Sequence, residues 1–211
     1  MDKEKPQPRR LLILTGPQGA GNHLFSKIFA FHPMVNGWVM NDYWEGHHHE
    51  PFAKYWDNPE LLKDAEWSAD RHHYVTSISC PYFRDQKPHI PKYKEFISHA
   101  EKIFKIQVCI IGRDKNILEY QQTRVRKSHT TPTALEAFKE LPNPYFISQE
   151  LFFLYQGQYL KRIGEDLDFP VAYNHATRIE DLIRKESNRK YIKSIQEQPL
   201  DKEVYKACDE S

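Results

Sequence analysis

The chain has 211 residues, of which 28% are charged, and its formal net charge is +1. This length allows one α/β domain with a substantial core, and the near-neutral charge argues against nucleic-acid binding through bulk electrostatics. Three cysteines, Cys80, Cys109 and Cys208, are too few and too scattered for a disulfide framework or a zinc knuckle. No apolar run approaches the roughly 20 residues that span a bilayer, so we expect no membrane span.

The predicted elements alternate between strands and helices. The first strand covers 11–15, and the first helix begins near Asn22. The later elements, in chain order, are a short strand at 35–40, a short helix at 59–67, a strand at 73–80, a helix at 91–104, a strand at 105–111, a helix at 116–127, a long helix at 144–163, a short strand at 169–173 and a helix at 179–185. Such alternation predicts an α/β three-layer sandwich, with a central, mostly parallel sheet and helices on both faces. Ligands of such sheets bind at the carboxyl ends of the strands.

The domain organisation is predicted to be simple. Residues 1–9 are polar and are expected to form a flexible N-terminal segment. Residues 10–185 are expected to form a single domain, and the charged tail at 186–211 to be helical. Because residues 1–9 lack the apolar core of a signal peptide, we expect a cytoplasmic location.

The most informative stretch connects the first strand to the first helix, where three glycines fall within six residues. Glycines let the backbone approach a ligand closely, and the unpaired N–H groups of a helix start favour an anion. The predicted phosphate cradle consists of Gly16, Gln18, Gly19, Ala20, Gly21, Asn22, His23 and Leu24. The alternative is a glycine-rich turn that binds nothing.

The same stretch departs from an ordinary ATP-binding loop. The spacing from Gly16 to Gly21 fits the G-x-x-x-x-G part of a Walker A motif. Asn22 stands where that motif has its lysine, and His23 where a serine or threonine would hold magnesium. Both side chains can donate hydrogen bonds to phosphate, but neither supplies a permanent cation. We therefore do not expect an ordinary ATP-hydrolysing P-loop.

Arg113 is the second candidate for phosphate binding. It directly follows the strand predicted at 105–111, whose carboxyl end would lie beside the glycine loop. A guanidinium at this position is a permanent cation with several donors, which suits a second phosphate group. The alternative is a surface arginine that pairs with Asp114 or Glu119.

The order of these features resembles the P-loop sulfotransferases, which transfer a sulfuryl group from 3′-phosphoadenosine 5′-phosphosulfate (PAPS). Their 5′-phosphosulfate loop, G-x-x-[RK]-[SG]-G-T-[ST], aligns with residues 16–23, and the His-Pro that ends the following helix in many members aligns with His32-Pro33. Their 3′-phosphate motif is a strand that ends in arginine, with a serine eight residues later. Arg113 and Gln121 stand at those two positions, and a late Glu-Asp-Leu at 180–182 also matches.

The resemblance implies a P-loop-type fold, PAPS or its product PAP as co-substrate, and no metal. It implies an enzyme that transfers a sulfuryl group to a hydroxyl or amine of a small-molecule or carbohydrate acceptor. Asp42 or Glu45 would be the catalytic base, because carbohydrate-modifying members carry a glutamate shortly after the His-Pro. The loop cation of the family falls at Gly19, and the catalytic histidine of cytosolic members falls at Ser79. His23, protonated beside phosphate, would replace the missing cation.

Two other functional classes remain open from the sequence. One is a kinase-like protein with a degenerate nucleotide-binding loop, and the other is a catalytically inactive binding protein on the same fold. His47 and His49 suggest a metal site, completed by Glu50 or Asp42, but a polar loop is the favoured interpretation. The sequence indicates neither the acceptor nor the oligomeric state.

Overall fold

The computed structural model describes residues 8–37, 52–68, 70–84, 87–126, 129–175 and 177–183, with only the backbone described at 124–126. The chain divides into two compact units, Met1–Asn174 and His175–Ser211. In the second unit, residues 177–183 form a helix, in agreement with the helix predicted at 179–185. The tail predicted at 186–211 lies outside the described residues.

A five-stranded sheet forms the centre of the first unit. The strands, in chain order, are β1 (Arg10–Pro17), β2 (Val35–Asn36), β3 (His73–Cys80), β4 (Tyr82–Arg84), β5 (Lys87–His89), β6 (Lys105–Gly112) and β7 (Tyr145–Ser148). The central sheet has the order β2-β3-β1-β6-β7, and every neighbouring pair in it is parallel. Strands β4 and β5 form a separate antiparallel pair. With β1 at its centre, the sheet places the turn after β1 between the ends of β3 and β6.

Helices follow most of the strands. They are α1 (Asn22–Ala30), α2 (Ala53–Asp57), a 3₁₀ helix (Pro59–Asp64), α3 (Tyr93–Ala100), α4 (Lys115–Arg126), α5 (Thr131–Phe138) and α6 (Gln149–Leu167). Within the described residues, no helix combines the length and apolar character needed to cross a membrane.

One face of the sheet is covered by an aromatic core. Leu11 and Ile13 of β1 are fully buried there, together with side chains of α2, α3 and α5. Trp56 of α2 stacks on Phe96 of α3 with a centroid distance of 3.8 Å, and its indole Nε1–H donates to Thr76 Oγ1 at 3.1 Å. The indole therefore contributes apolar contact while its N–H stays paired.

The opposite face of the sheet is also buried. Leu12 and Leu14 alternate with the previous pair along β1, so they point to the other side, and both are fully buried. On this side Phe25 of α1 packs against Phe152 of α6 with ring centroids 5.1 Å apart. A parallel sheet with helices on both faces confirms the predicted α/β sandwich.

Two predicted elements near the end of the first unit are wrong. Residues 145–148, predicted as the start of a long helix, form the edge strand β7 beside β6. The helix begins only at Gln149, because Ser148 is its N-cap and accepts a hydrogen bond from the Leu151 amide at 3.2 Å. Residues 169–173, predicted as a strand, form none, and the Phe169 amide instead closes the end of α6 on the Gly164 carbonyl.

Smaller differences concern short elements. The helix predicted at 59–67 is a 3₁₀ helix at Pro59–Asp64, and α2, α5 and the β4–β5 pair were not predicted. Of the strand predicted at 35–40, only Val35–Asn36 is a described strand, and residues 38–40 lie outside the described residues. Short elements carry too few residues for a periodicity to be recognised.

Candidate functional site

The glycine loop at residues 16–21 lies where β1 ends and α1 begins. Gly19 and Gly21 have φ angles of 90° and 98°, a left-handed conformation that side chains oppose. Gly21 is the N-cap of α1. Gly16 is required for a different reason, since a Cβ there would lie 2.5 Å from the Ile111 carbonyl oxygen of β6. Each glycine thus meets a specific conformational or packing demand.

Side chains from three directions hold the carbonyl groups of this loop. Asn22 donates to the Gly16 carbonyl at 3.0 Å, and Gln122 of α4 donates to the Gln18 carbonyl at 2.9 Å. Arg113 donates to the Gly19 carbonyl at 3.1 Å. Because these acceptors are bonded to protein donors, the loop is held in one conformation before any ligand binds.

The start of α1 leaves backbone donors beside the loop. The first helical hydrogen bond joins the Phe25 amide to the Gly21 carbonyl at 3.1 Å. The amides of Asn22 and Leu24 precede that bond and have no acceptor within the helix. Together with the partial positive charge of the helix start, these amides provide donors of the kind that favour an anion. The side chains of Ala20 and Leu24 are buried, so only the backbone of these two residues is available to a ligand.

Arg113 reaches the glycine loop from the carboxyl end of β6, as predicted. Its Nη1 donates to the Gly19 carbonyl and, at 2.6 Å, to Oε1 of Gln121. Gln121 is 7% exposed and lies against Gly19, where an added Cβ would be 3.2 Å from its carboxamide. The two residues matched to the 3′-phosphate motif are therefore in direct contact with each other and with the loop.

The alternative interpretation of Arg113, a surface ion pair, is not what the structure shows. Asp114 Oδ1 accepts from the Ile117 amide at 3.0 Å and so caps α4. Glu119 pairs with Lys115 one turn earlier in the same helix, at 3.7 Å. Among the described residues, Arg113 forms no salt bridge.

Asn22 has a structural role that the sequence did not reveal. Its Nδ2 donates to the Gly16 carbonyl and, at 3.1 Å, to Ser79 Oγ at the end of β3. Both side-chain hydrogens are thus used within the protein, and Asn22 is only 3% exposed. Contact of its side chain with phosphate stays a prediction that requires release of these bonds. His23 is half-buried in the first turn of α1, and its predicted role also stays a prediction.

Buried carboxamides surround the loop. Gln18 donates from Nε2 to the Pro81 carbonyl at 2.8 Å, while its Oε1 is buried without a partner in the described part of the chain. Gln149, the first residue of α6, lies over Gly21, where an added Cβ would be 2.7 Å from its Nε2. Gln122 and Gln149 were not singled out from the sequence, because no local pattern connects α4 or α6 with the loop.

The end of β3 carries a buried hydroxyl network next to the loop. Thr15 Oγ1 donates to the Ile78 carbonyl at 2.8 Å, so the Tyr93 hydroxyl is the donor in its 2.6 Å contact with Thr15. Burial raises the pKa of Tyr93 well above its ordinary value and that of the Cys80 thiol to about 11. Cys80 is therefore a thiol at neutral pH and not a nucleophile.

A cavity of about 840 Å³ lies at the amino ends of β1 and β3, opposite the glycine loop. Arg10 donates there to Asp168 at 2.5 Å. Burial, and after it the charge of Arg10, lowers the pKa of His73 below its ordinary value of 6.5. The other ionisable groups that act on His73 are His72, Asp168 and His32.

The remaining site predictions lie outside the described residues. These are the bases Asp42 and Glu45 and the candidate metal ligands His47, His49 and Glu50. Among the described residues, no group of three or more His, Cys, Asp or Glu side chains is placed to hold a metal ion.

Comparison with known proteins identified no matching family model and no matching curated protein. Among solved structures, a crystal structure of an unliganded sugar kinase from Janibacter sp. HTCC2649 resembles this chain with a TM-score of 0.42 and 13% sequence identity. The alignment covers 79% of this chain and 98% of that chain.

Proposed function

We propose that this protein binds a 3′-phosphorylated adenine nucleotide at the glycine loop and transfers a sulfuryl group from PAPS to a hydroxyl or amine. The acceptor would be a small molecule or a carbohydrate. The observation that supports this proposal is the contact of Arg113 with both Gly19 and Gln121. The 3′-phosphate motif of the sulfotransferases has an arginine at a strand end and a serine eight residues later, and Arg113 and Gln121 stand at these two positions.

The residues present fit a nucleotide with two anionic groups. The amides at the start of α1 can receive the 5′ group, because Gly19 and Gly21 carry no side chain of their own and their left-handed conformation shapes the backbone around it. Arg113 uses only Nη1 in its described hydrogen bonds, so Nε and Nη2 can receive the 3′-phosphate. Gln121 then holds the guanidinium in position, because its Oε1 accepts from Nη1.

The chemistry assigns separate tasks to these groups. In sulfuryl transfer the acceptor oxygen or nitrogen bonds to sulfur, the bond between sulfur and the 5′-phosphate oxygen breaks, and the acceptor proton goes to a base. Negative charge grows on the departing phosphate, where helix-start amides stabilise it. Asp42 or Glu45 is proposed as the base on the sequence pattern.

Magnesium-dependent phosphoryl transfer has less support at this site. Asn22 occupies the position of the Walker A lysine, and its side-chain donors are used within the protein. Asp114, at the end of β6, uses its carboxylate to cap α4. The kinase-like and inactive alternatives are therefore treated as outcomes of the experiment below.

The experiment compares the thermal midpoint of the protein with PAP, with ADP and with ATP plus magnesium. A ligand at one hundred times its Kd adds about 2.7 kcal/mol, which corresponds to a rise of about 5–10 °C for a chain of this length. We expect this rise with PAP and a smaller one with ADP. The variant R113K keeps the positive charge but loses the planar guanidinium, so it should reduce the difference between the rises with PAP and with ADP. The control R71A, at an exposed position, should leave that difference unchanged.

Two results would contradict the proposal. A rise only with ATP and magnesium would support the kinase-like alternative, and no rise with any nucleotide would support an inactive binding protein. Release of PAP from PAPS in the presence of pooled sugars and phenols then tests transfer itself. Failure of PAP release despite selective PAP binding would remove the enzymatic part of the proposal.

A further inference from the structure

Gln149 is a buried polar residue beside the glycine loop. It is 4% exposed, and its Oε1 is buried without a hydrogen-bond partner in the described part of the chain. Buried polar atoms are nearly always paired, so an unpaired one calls for an explanation. The Nε2 atom of the same carboxamide lies directly over Gly21, so this side chain faces the place where a ligand of the loop would bind.

Two helix starts meet at this point. Gly21 is the N-cap of α1, and Gln149 is the first residue of α6, whose helical backbone is interrupted at Gln156 (φ 39°, ψ −113°). The two helices are held side by side by the contact between Phe25 and Phe152. The partial positive charge of the α1 start therefore lies beside the Gln149 carboxamide.

We propose that Gln149 binds the anionic group held at the start of α1, donating from Nε2 to a phosphate or sulfate oxygen. This inference rests on the proposed function, since it concerns the same nucleotide site. In the sulfotransferase loop a lysine or arginine would make this contact. Gly19 stands at that position here and cannot make it, so the inference assigns the contact to the neutral carboxamide of Gln149.

If Gln149 donates a hydrogen bond to an anion, replacing it by glutamate should make anion binding depend on pH. The carboxamide does not titrate, whereas a glutamate in its place would repel a phosphate when ionised and donate when protonated. The variant Q149E should therefore bind the anion poorly at pH 8 and recover binding as the pH falls. This recovery separates anion binding from a role in folding only in protein that circular dichroism shows to be folded at both pH values.

The test uses isothermal titration calorimetry with inorganic pyrophosphate and with PAP as probes, on the full-length chain. Replacing Gln149 by Met keeps the length of the side chain but removes the hydrogen bond. Since hydrogen bonds to charged groups contribute more than neutral ones, we expect binding of both probes by Q149M to weaken about 10–100-fold. The control Q158M changes an exposed glutamine of the same helix and should leave both affinities unchanged.

The variant Q149E completes the experiment. Pyrophosphate binding should be lost at pH 8 and should return at least tenfold at about pH 5, where a carboxyl next to an anion is protonated. Circular dichroism establishes that each variant is folded, and Q149N, with its amide held one carbon further from the loop, replaces Q149M if that variant does not fold. Unchanged affinity in the Met or Asn variant, or an equal loss in Q149E at both pH values, would overturn the inference.

The results for the two proposals can be separated. If wild-type protein prefers PAP to ADP but the Gln149 variants bind normally, the inference fails and the nucleotide proposal stands. If the Gln149 variants weaken pyrophosphate binding while PAP and ADP bind equally, the inference about Gln149 stands. The assignment of PAPS as the sulfuryl donor then fails. If the wild-type protein binds neither probe, both are wrong.

Discussion

The substitution Asn22→Asp tests the structural role of this loop residue most directly. The change keeps the size of the side chain but replaces the Nδ2 donor by an oxygen. That oxygen would lie at the positions now 3.0 Å from the Gly16 carbonyl and 3.1 Å from Ser79 Oγ. The hydroxyl can turn to donate, but the carbonyl cannot, so a repulsive contact replaces one buried hydrogen bond.

The magnitude follows from these two contacts. Loss of the hydrogen bond to the Gly16 carbonyl costs about 1 kcal/mol, and this buried carbonyl left unpaired costs about 1–3 kcal/mol more. We therefore expect Asn22→Asp to lower the free energy of unfolding by about 3 kcal/mol. For a chain of this length that corresponds to a fall in Tm of about 6–12 °C.

Urea denaturation and differential scanning calorimetry without nucleotide would measure the effect. The control is Asn116→Asp at an exposed position in the first turn of α4, where a carboxylate is favoured by the helix dipole. The control should change stability by no more than about 0.5 kcal/mol. If Asn22→Asp lowered Tm by less than about 2 °C, the assignment of Asn22 as a connection between β1 and β3 would be refuted.

Three further predictions concern the glycine loop and two buried groups. Gly21→Ala should lower stability by about 1–2 kcal/mol in urea titrations, because φ at this residue is 98°, whereas Gly112→Ala, with 3.9 Å to its nearest neighbour, should have little effect. Stability should decrease as the pH falls through 6.5, because the lowered pKa of His73 means that the folded protein binds this proton less readily than the unfolded chain. In His73→Phe, the urea midpoints at pH 8 and pH 5.5 should differ less than in wild type. An equal difference would exclude His73 as the source of the pH dependence of stability. Cys80, with a pKa of about 11, should resist iodoacetamide at pH 8 in the folded protein and react after unfolding, as peptide mass spectrometry would show.

Much of the sheet could be predicted because its strands are continuous apolar runs of distinct length. β3 has the predicted limits, and β1 and β6 contain the predicted runs at 11–15 and 105–111. Buried parallel strands have this appearance because both faces are covered. The glycine-rich turn after β1 then predicted the position of the site at the carboxyl edge.

The edge strand β7 could not be separated from α6 on hydrophobicity alone. Residues 145–147 are apolar in a row, which suits either a strand or a helix start. The N-cap at Ser148 was the one local signal for the boundary. The short elements α2 and α5 gave weaker signals still, and their positions depend on packing against the aromatic core.

The contact of Arg113 with the loop could be predicted from the sequence only in part. A strand that ends in arginine places this side chain at the ligand edge wherever the strand lies in the sheet. That it contacts Gly19 depends on β6 lying next to β1, a pairing that joins residues distant in the chain. The sequence predicted that Arg113 lies at the carboxyl edge of the sheet, and the strand order decided that it contacts Gly19.

By itself, the sequence determined which residues can form the loop backbone, because the left-handed conformations at Gly19 and Gly21 are a property of single residues. Only the tertiary structure decided which polar groups remain for a ligand. It uses both side-chain donors of Asn22 between two strands and leaves the carboxamide of Gln149 over the loop. The physical reason is that a hydrogen bond depends on distance and direction in space, which local sequence does not encode for residues on separate elements.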